Sequence, residues 1–168
     1  MVHRLGINSQ HNKSLQYSSS NRMAESGRDK DSSIQNIRTV YSIKNPEEKV
    51  KFYNTWATRY EKDLALINYQ AHTFAAEILD PVFPKKREDA LVLDIACGTG
   101  GVAEQLQKRG FRNFHGIDGS EGMLKIAESK GLYQNLKKCL IVPGERLPVS
   151  SGNKSVPDSQ PFSPAGQY

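Results

Sequence analysis

The chain has 168 residues, of which 37% are apolar, and a net charge of +5; its mean hydropathy is −0.61. No apolar run in it approaches the roughly 18 residues that a bilayer-spanning helix needs, so no membrane partner is expected. The two cysteines, Cys97 and Cys139, cannot build a disulfide framework, and unpaired thiols suit the reducing cytoplasm or nucleus.

Polarity is unevenly distributed. Residues 1–40 hold eight serines, one aromatic (Tyr17) and a net charge of +3, while residues 149–168 hold five serines and three prolines. Neither segment shows an evident helix or strand period, and both read as disordered tails, because too little apolar area is available to offset the entropy of ordering. Most of the basic excess is then a property of the N-terminal tail and argues only weakly for nucleic acid. Residues 41–148 remain as the folded part.

That part opens with a helix start. Asn45 is a capping residue, Pro46 suits the first helical position and Glu48 is the acid of a capping box. Apolar residues recur with helical spacing from Tyr53 through Trp56, Tyr60, Leu64, Ile67 and Phe74 to Ile78, which predicts two helices with a break near Asn68. Asp80-Pro81 and Phe83-Pro84 end the block.

Ala90–Ile95 is apolar on both faces and reads as a buried parallel strand. The glycine turn 96–101 follows it, then a helix from about Val102 to Arg109 that stops at Gly110. Phe111–Ile117 is the second strand and ends in Asp118. Ser120 caps a third helix through Met123, Leu124 and Ala127, which closes near Gly131. Cys139–Val142 is the third strand. The order is helices and then βαβαβ, an α/β Rossmann-like half of a doubly wound sheet.

A strand, a glycine turn and a helix N-terminus make a nucleotide-binding unit, with the amides of Gly98-Thr99-Gly100 facing a ligand. Asp118 lies 20 residues after Gly98, the spacing of an acid that accepts ribose hydroxyls. The turn lacks the full dinucleotide fingerprint, and Asp94 stands just before it. An acid there repels a pyrophosphate and attracts a cation, which selects S-adenosylmethionine over NAD.

Leu91-Val92-Leu93-Asp94-Ile95-Ala96-Cys97-Gly98-Thr99-Gly100 resembles motif I of the class I S-adenosylmethionine-dependent methyltransferases. Gly116-Ile117-Asp118-Gly119-Ser120, followed by Met123-Leu124, resembles that superfamily's second-strand motif. The resemblance covers roughly residues 43–148. It implies that Asp94, Gly98, Thr99 and Gly100 hold the methionine portion. Asp118 would bind the ribose, with Gly119 and Met123 on the adenine side. Tyr60 would cover the methionine end, although its place on an amphipathic stripe equally suits a core aromatic. Alignment on Leu147-Pro148 puts Pro143 where the superfamily carries an acid; Glu145 reads first as a solvated surface charge and only second as a substitute for it. Cys97 reads as a packing residue.

The superfamily sheet has seven strands, and this chain supplies candidates for three of them. The resemblance therefore predicts only the N-terminal half of the fold, C-terminally truncated, with the first strand left as an open apolar edge. Two functions follow: methyl transfer from S-adenosylmethionine to an unknown acceptor, or a non-catalytic module that associates with another copy through that edge. An NAD-dependent oxidoreductase is a distant third.

Overall fold

The computed structural model of the chain describes residues 29–142 and Gly144. The expectations placed on residues 1–28, Pro143, Glu145 and the 149–168 tail lie outside them.

The first described element is a helix, α1 (residues 29–42), where the sequence predicts the end of a disordered tail. The folded part thus begins at least a dozen residues earlier than expected. Its period is carried by few residues. Ser33 and Val40 are buried, Ile34 and Ile37 are half-buried, and the Asn36 side chain donates to Asp63 Oδ2 at 2.9 Å. Apolar side chains alone make this stripe too thin to read. A small hydroxyl and an amide complete it; Ser33 donates back to the Asp29 carbonyl at 2.8 Å, while Asn36 acquires its partner only when α2 is in place.

Helix α2 (Pro46–Leu66) begins as predicted, with Asn45 Oδ1 accepting from the Glu48 amide at 3.1 Å. It buries Trp56, Ala57, Asp63 and Leu64. The break falls at Asn68, whose φ is 53°, a left-handed conformation that asparagine tolerates better than most residues. Helix α3 (Ala71–Leu79) follows and tightens into a short 3-10 turn at Asp80–Val82.

Strand β1 (Leu91–Ile95), helix α4 (Gly101–Lys108), strand β2 (Asn113–Asp118), helix α5 (Glu121–Ser129) and strand β3 (Asn135–Lys138) complete the described fold. The sheet order is β1-β2-β3 and both pairings are parallel. Leu93 pairs with His115, and His115 with Asn135. Gly110 at φ 98° and Gly131 at φ 62° turn the chain out of α4 and α5 in conformations costly for residues with a Cβ.

Two strand assignments differ from expectation. β3 lies four residues earlier than Cys139–Val142. It is short and lies at the described edge of the sheet, so it does not need an apolar run. Lys137 pairs with Ile117 and Lys138 with Asp118. Only the Cys139 amide prolongs the ladder, donating to the Asp118 carbonyl at 2.9 Å. β1 is not buried on both faces. Leu91, Leu93 and Ile95 share one face and are 59%, 37% and 44% exposed. Val92, on the other face, packs against the core. Among the described residues β1 pairs only with β2, which leaves its outer edge open.

The core consists of Ala76, Ala103, Leu106, Phe111, Phe114 and Leu132, drawn from α3, α4, β2 and the loops beside them. A second contact joins α2 to α5. There Asn54 Oδ1 accepts from the Ser120 hydroxyl at 2.8 Å and the Gly122 amide at 2.9 Å. Lys130, just past α5, forms ion pairs with Glu61 on α2 and with Glu104 on α4, the latter at 3.2 Å. These contacts fix α2 over the ends of the strands, where the glycine turn lies.

Candidate functional site

The turn after β1 is built from unusual backbone. Ala96, Gly98 and Gly100 have φ values of 61°, 55° and 89°. Gly98 and Gly100 accept this at no steric cost, whereas Ala96 is strained. The turn's amides are also committed. Gly98 N–H donates to Asp118 Oδ2 at 2.8 Å, and Gly100 N–H donates to the Cys97 carbonyl at 2.9 Å. The expected cradle of free amides is therefore not what the turn presents at these two residues. Its hydrogen bonds hold its own shape, and its contribution to a ligand is close backbone approach.

Asp118 links the two motifs. Besides Gly98, its Oδ1 accepts from the Ser120 amide at 2.7 Å. Burial pushes its pKa above the ordinary aspartate value, against the opposing effect of hydrogen bonds from Ser120, Gly98 and Gly119. Burial likewise raises Asp94, the Tyr133 hydrogen bond opposes this, and the negative charge of Asp118 adds to the rise. Among the described residues neither acid has an ion-pair partner.

Two adjoining cavities flank the turn. One, of about 250 Å³, is lined by Asp118, Gly119, Met123, Leu140 and Ile141, with Val50, Tyr53 and Tyr60 above from α2. The other, of about 480 Å³, is lined by Thr99, Glu61, Tyr69, His72 and Glu104. Tyr60, Ala96 and Gly98 border both. Of the residues singled out in the sequence, Tyr60, Gly98, Thr99, Asp118, Gly119 and Met123 thus converge on one cleft.

Asp94 and Gly100 do not line it. Asp94 shares the face of Val92, and its Oδ2 accepts from the Tyr133 hydroxyl at 2.7 Å. It borders a groove along β1 instead, because strand alternation sets its direction. Gly100 is covered by Tyr133, whose ring would lie 3.1 Å from an added Cβ. The same ring would lie 2.9 Å from a Cβ at Gly116. Cys97 is buried, and burial followed by the charges of Asp94 and Asp118 pushes its thiol far up. It is an inert packing residue.

Several lining residues escape sequence reading. Tyr53 lies one heptad before Tyr60 on α2, a spacing that also describes a core stripe. Leu140 and Ile141 look like strand residues but leave the sheet and cover the Asp118 cavity. His72 and Glu61 carry no motif. Gly119 is required by the approach of α2, since a Cβ there would lie 2.9 Å from Val50 Cγ2.

Comparison with known proteins agrees with this geometry. A methyltransferase domain model matches residues 92–152. The chain is 41% identical over 116 residues to human methyltransferase-like protein 27, covering 69% of this chain and 47% of that protein. It is 30% identical over 98 residues to the ubiquinone/menaquinone biosynthesis C-methyltransferase of Campylobacter jejuni strain 81116, covering 52% of this chain and 41% of the relative. The chain therefore spans about half the length of the curated relatives it matches. With an α/β parallel sheet, the glycine turn after its first strand and the acid ending its second, the chain has a Rossmann-like fold of the methyltransferase kind and is similar in sequence to these methyltransferases.

Proposed function

We propose that the cleft binds S-adenosylmethionine and that the activity is transfer of its methyl group to an acceptor. One observation carries the reading. The glycine turn is tied to Asp118, a half-buried carboxylate that borders the cleft, lacks an ion-pair partner among the described residues and has its pKa raised by burial; Asp94, turned toward Tyr133, adds its negative charge to the field from outside the cleft. A ligand with an ammonium and a sulfonium and no phosphate suits that field, whereas a pyrophosphate is repelled by it. When bound, the sulfonium supplies an activated methyl group. The residues here would hold the adenosine beside Asp118, Gly119 and Met123, direct the methionine portion past Gly98 and Thr99, and narrow water access with Tyr60.

The pH dependence follows from the sign of the shifts. Ribose hydroxyls donate to the ionised Asp118 carboxylate, so affinity is complete above its raised pKa and falls as pH drops through it. That fall starts at higher pH than the ordinary aspartate value of 3.8 would give. Calorimetry with S-adenosylmethionine is expected to show affinity declining as pH is lowered toward the ordinary aspartate range, with proton release on binding. NADH produces no heat of binding in the same experiment. Affinity that does not change with pH, or binding of NADH, sinks the assignment.

A second reading is favoured by the exposed side chains of Leu91, Leu93 and Ile95 on the open strand. Such an edge pairs with another copy unless a charge blocks it. Sedimentation of the chain is expected to show concentration-dependent self-association that Leu93→Lys abolishes. A monomer at every concentration removes this reading.

A further inference from the structure

We propose that the cavity between α1 and α2 receives the methyl acceptor, and that the acceptor is an uncharged compound of one or two aromatic rings. The proposal rests on the cofactor reading above.

The cavity encloses about 220 Å³. A dry apolar cavity of about 150 Å³ already holds benzene, so this one has room for a larger ring. Ile37 and Val40 from α1 line it, with Trp56 and Leu64 from α2 and Ile67 beyond its end. Lys49 is the one charged residue among its lining. It is not an isolated void. Tyr53 also lines the Asp118 cavity, Tyr69 also lines the Thr99 cavity, and Tyr60 lines both. The aromatic cavity therefore lies against the cleft and shares these three tyrosines with it, Tyr60 standing where its two parts adjoin.

The polar groups at that junction suit a ring bearing oxygen or nitrogen. No hydrogen bond to another described side chain bears on the hydroxyls of Tyr53 and Tyr60, and burial raises the pKa of both. They remain neutral and free to donate to a ring substituent, which would set the ring's orientation toward the methyl group. The apolar wall contributes affinity and excludes water, and the hydroxyls contribute position.

Trp56 is the chain's single tryptophan and lines this cavity, so it reports occupancy directly. Titration of the full chain with 1-naphthol is expected to quench Trp56 fluorescence saturably. Tyr69→Arg is expected to weaken that binding tenfold or more. Tyr69 is 40% exposed, so the fold tolerates the change, and far-UV circular dichroism checks it. Ile37→Arg repeats the test from α1. Leu93→Lys, in the separate groove along β1, is expected to leave the quenching unchanged. Absence of saturable quenching overturns the proposal, as does quenching that neither arginine variant weakens. Tighter binding of 1-naphthalenesulfonate overturns the uncharged assignment. Calorimetry with S-adenosylhomocysteine separates the two layers. Nucleoside binding without naphthol quenching overturns the acceptor cavity alone, and naphthol quenching without nucleoside binding overturns the cofactor reading beneath it.

Discussion

Asp118→Ala is expected to abolish cofactor binding and to destabilise the fold by about 3 kcal/mol. The carboxylate accepts from Gly98 N–H on one oxygen and Ser120 N–H on the other. Removing it leaves two part-buried donors without their acceptor, and each such loss costs roughly 1–3 kcal/mol. The two turns it joins, after β1 and after β2, would also drift apart, and Gly98 and Gly119 both border the cleft. Asp118→Asn separates these effects. Its amide oxygen keeps one of the two hydrogen bonds, so most of the fold survives while the negative charge is lost. Urea unfolding is expected to show a smaller stability loss for asparagine than for alanine. Calorimetry is expected to show S-adenosylmethionine affinity lowered by roughly tenfold to a hundredfold, the value of a charge-assisted hydrogen bond. Undiminished affinity in the asparagine variant would remove Asp118 from the site.

Asp63→Ala is expected to have the largest effect on stability. Asp63 is fully buried on α2. Its Oδ2 accepts from Trp56 Nε1 at 2.7 Å and from Asn36 Nδ2 at 2.9 Å, and Arg59 lies 3.4 Å from Oδ1. Burial alone would raise its pKa, but the hydrogen bonds from Trp56 and Asn36 and the charge of Arg59 outweigh it, and the net shift is downward. Truncation removes the acceptor shared by a buried indole and by the side chain that ties α1 to α2. Breaking such a buried network costs about 3–5 kcal/mol. Urea unfolding measures the loss, and a red shift of Trp56 emission locates it. The pH dependence has a fixed sign. Because the folded-state pKa is lowered, the stabilisation is complete above the unfolded carboxylate value of about 3.9 and is lost as pH falls through the folded value. A loss under about 1 kcal/mol would mean that α1 is held by apolar contact alone.

Much of the fold is legible because local rules act strongly at its joints. Asn45-Pro46, Asn68, Gly110 and Ser120 each start or stop an element where the structure does. The sheet order follows from two strand–helix crossovers. What the sequence conceals depends on distant partners. α1 is stabilised through Ser33, Asn36 and Val40, of which only Val40 would count in a hydrophobic pattern. β3 is polar because it lies at an edge, and the more apolar segment after it roofs the cleft. The site shows the same division. Motif residues identify Asp118, Gly98, Gly119 and Met123, but Asp94 is turned away by strand parity. Tyr53, Tyr69 and His72 reach the cleft only because the helical block folds over the turn.

Tyr133 has a consequence for how this sequence can drift. Its hydroxyl is held by Asp94, and its ring occupies the space that side chains at Gly100 and Gly116 would need. Gly100 is thus kept small by this ring as well as by its positive φ, and Gly116 by the ring together with Leu136 Cδ2 at 2.7 Å and Cys97 Sγ at 3.0 Å from an added Cβ. Substitutions at positions 94, 100, 116 and 133 therefore have non-additive effects. A larger residue at 116 needs both the ring and Leu136 to give way, and reducing the ring leaves the carboxylate at 94 without its donor. Four positions spread over forty residues of chain are thus coupled through one ring.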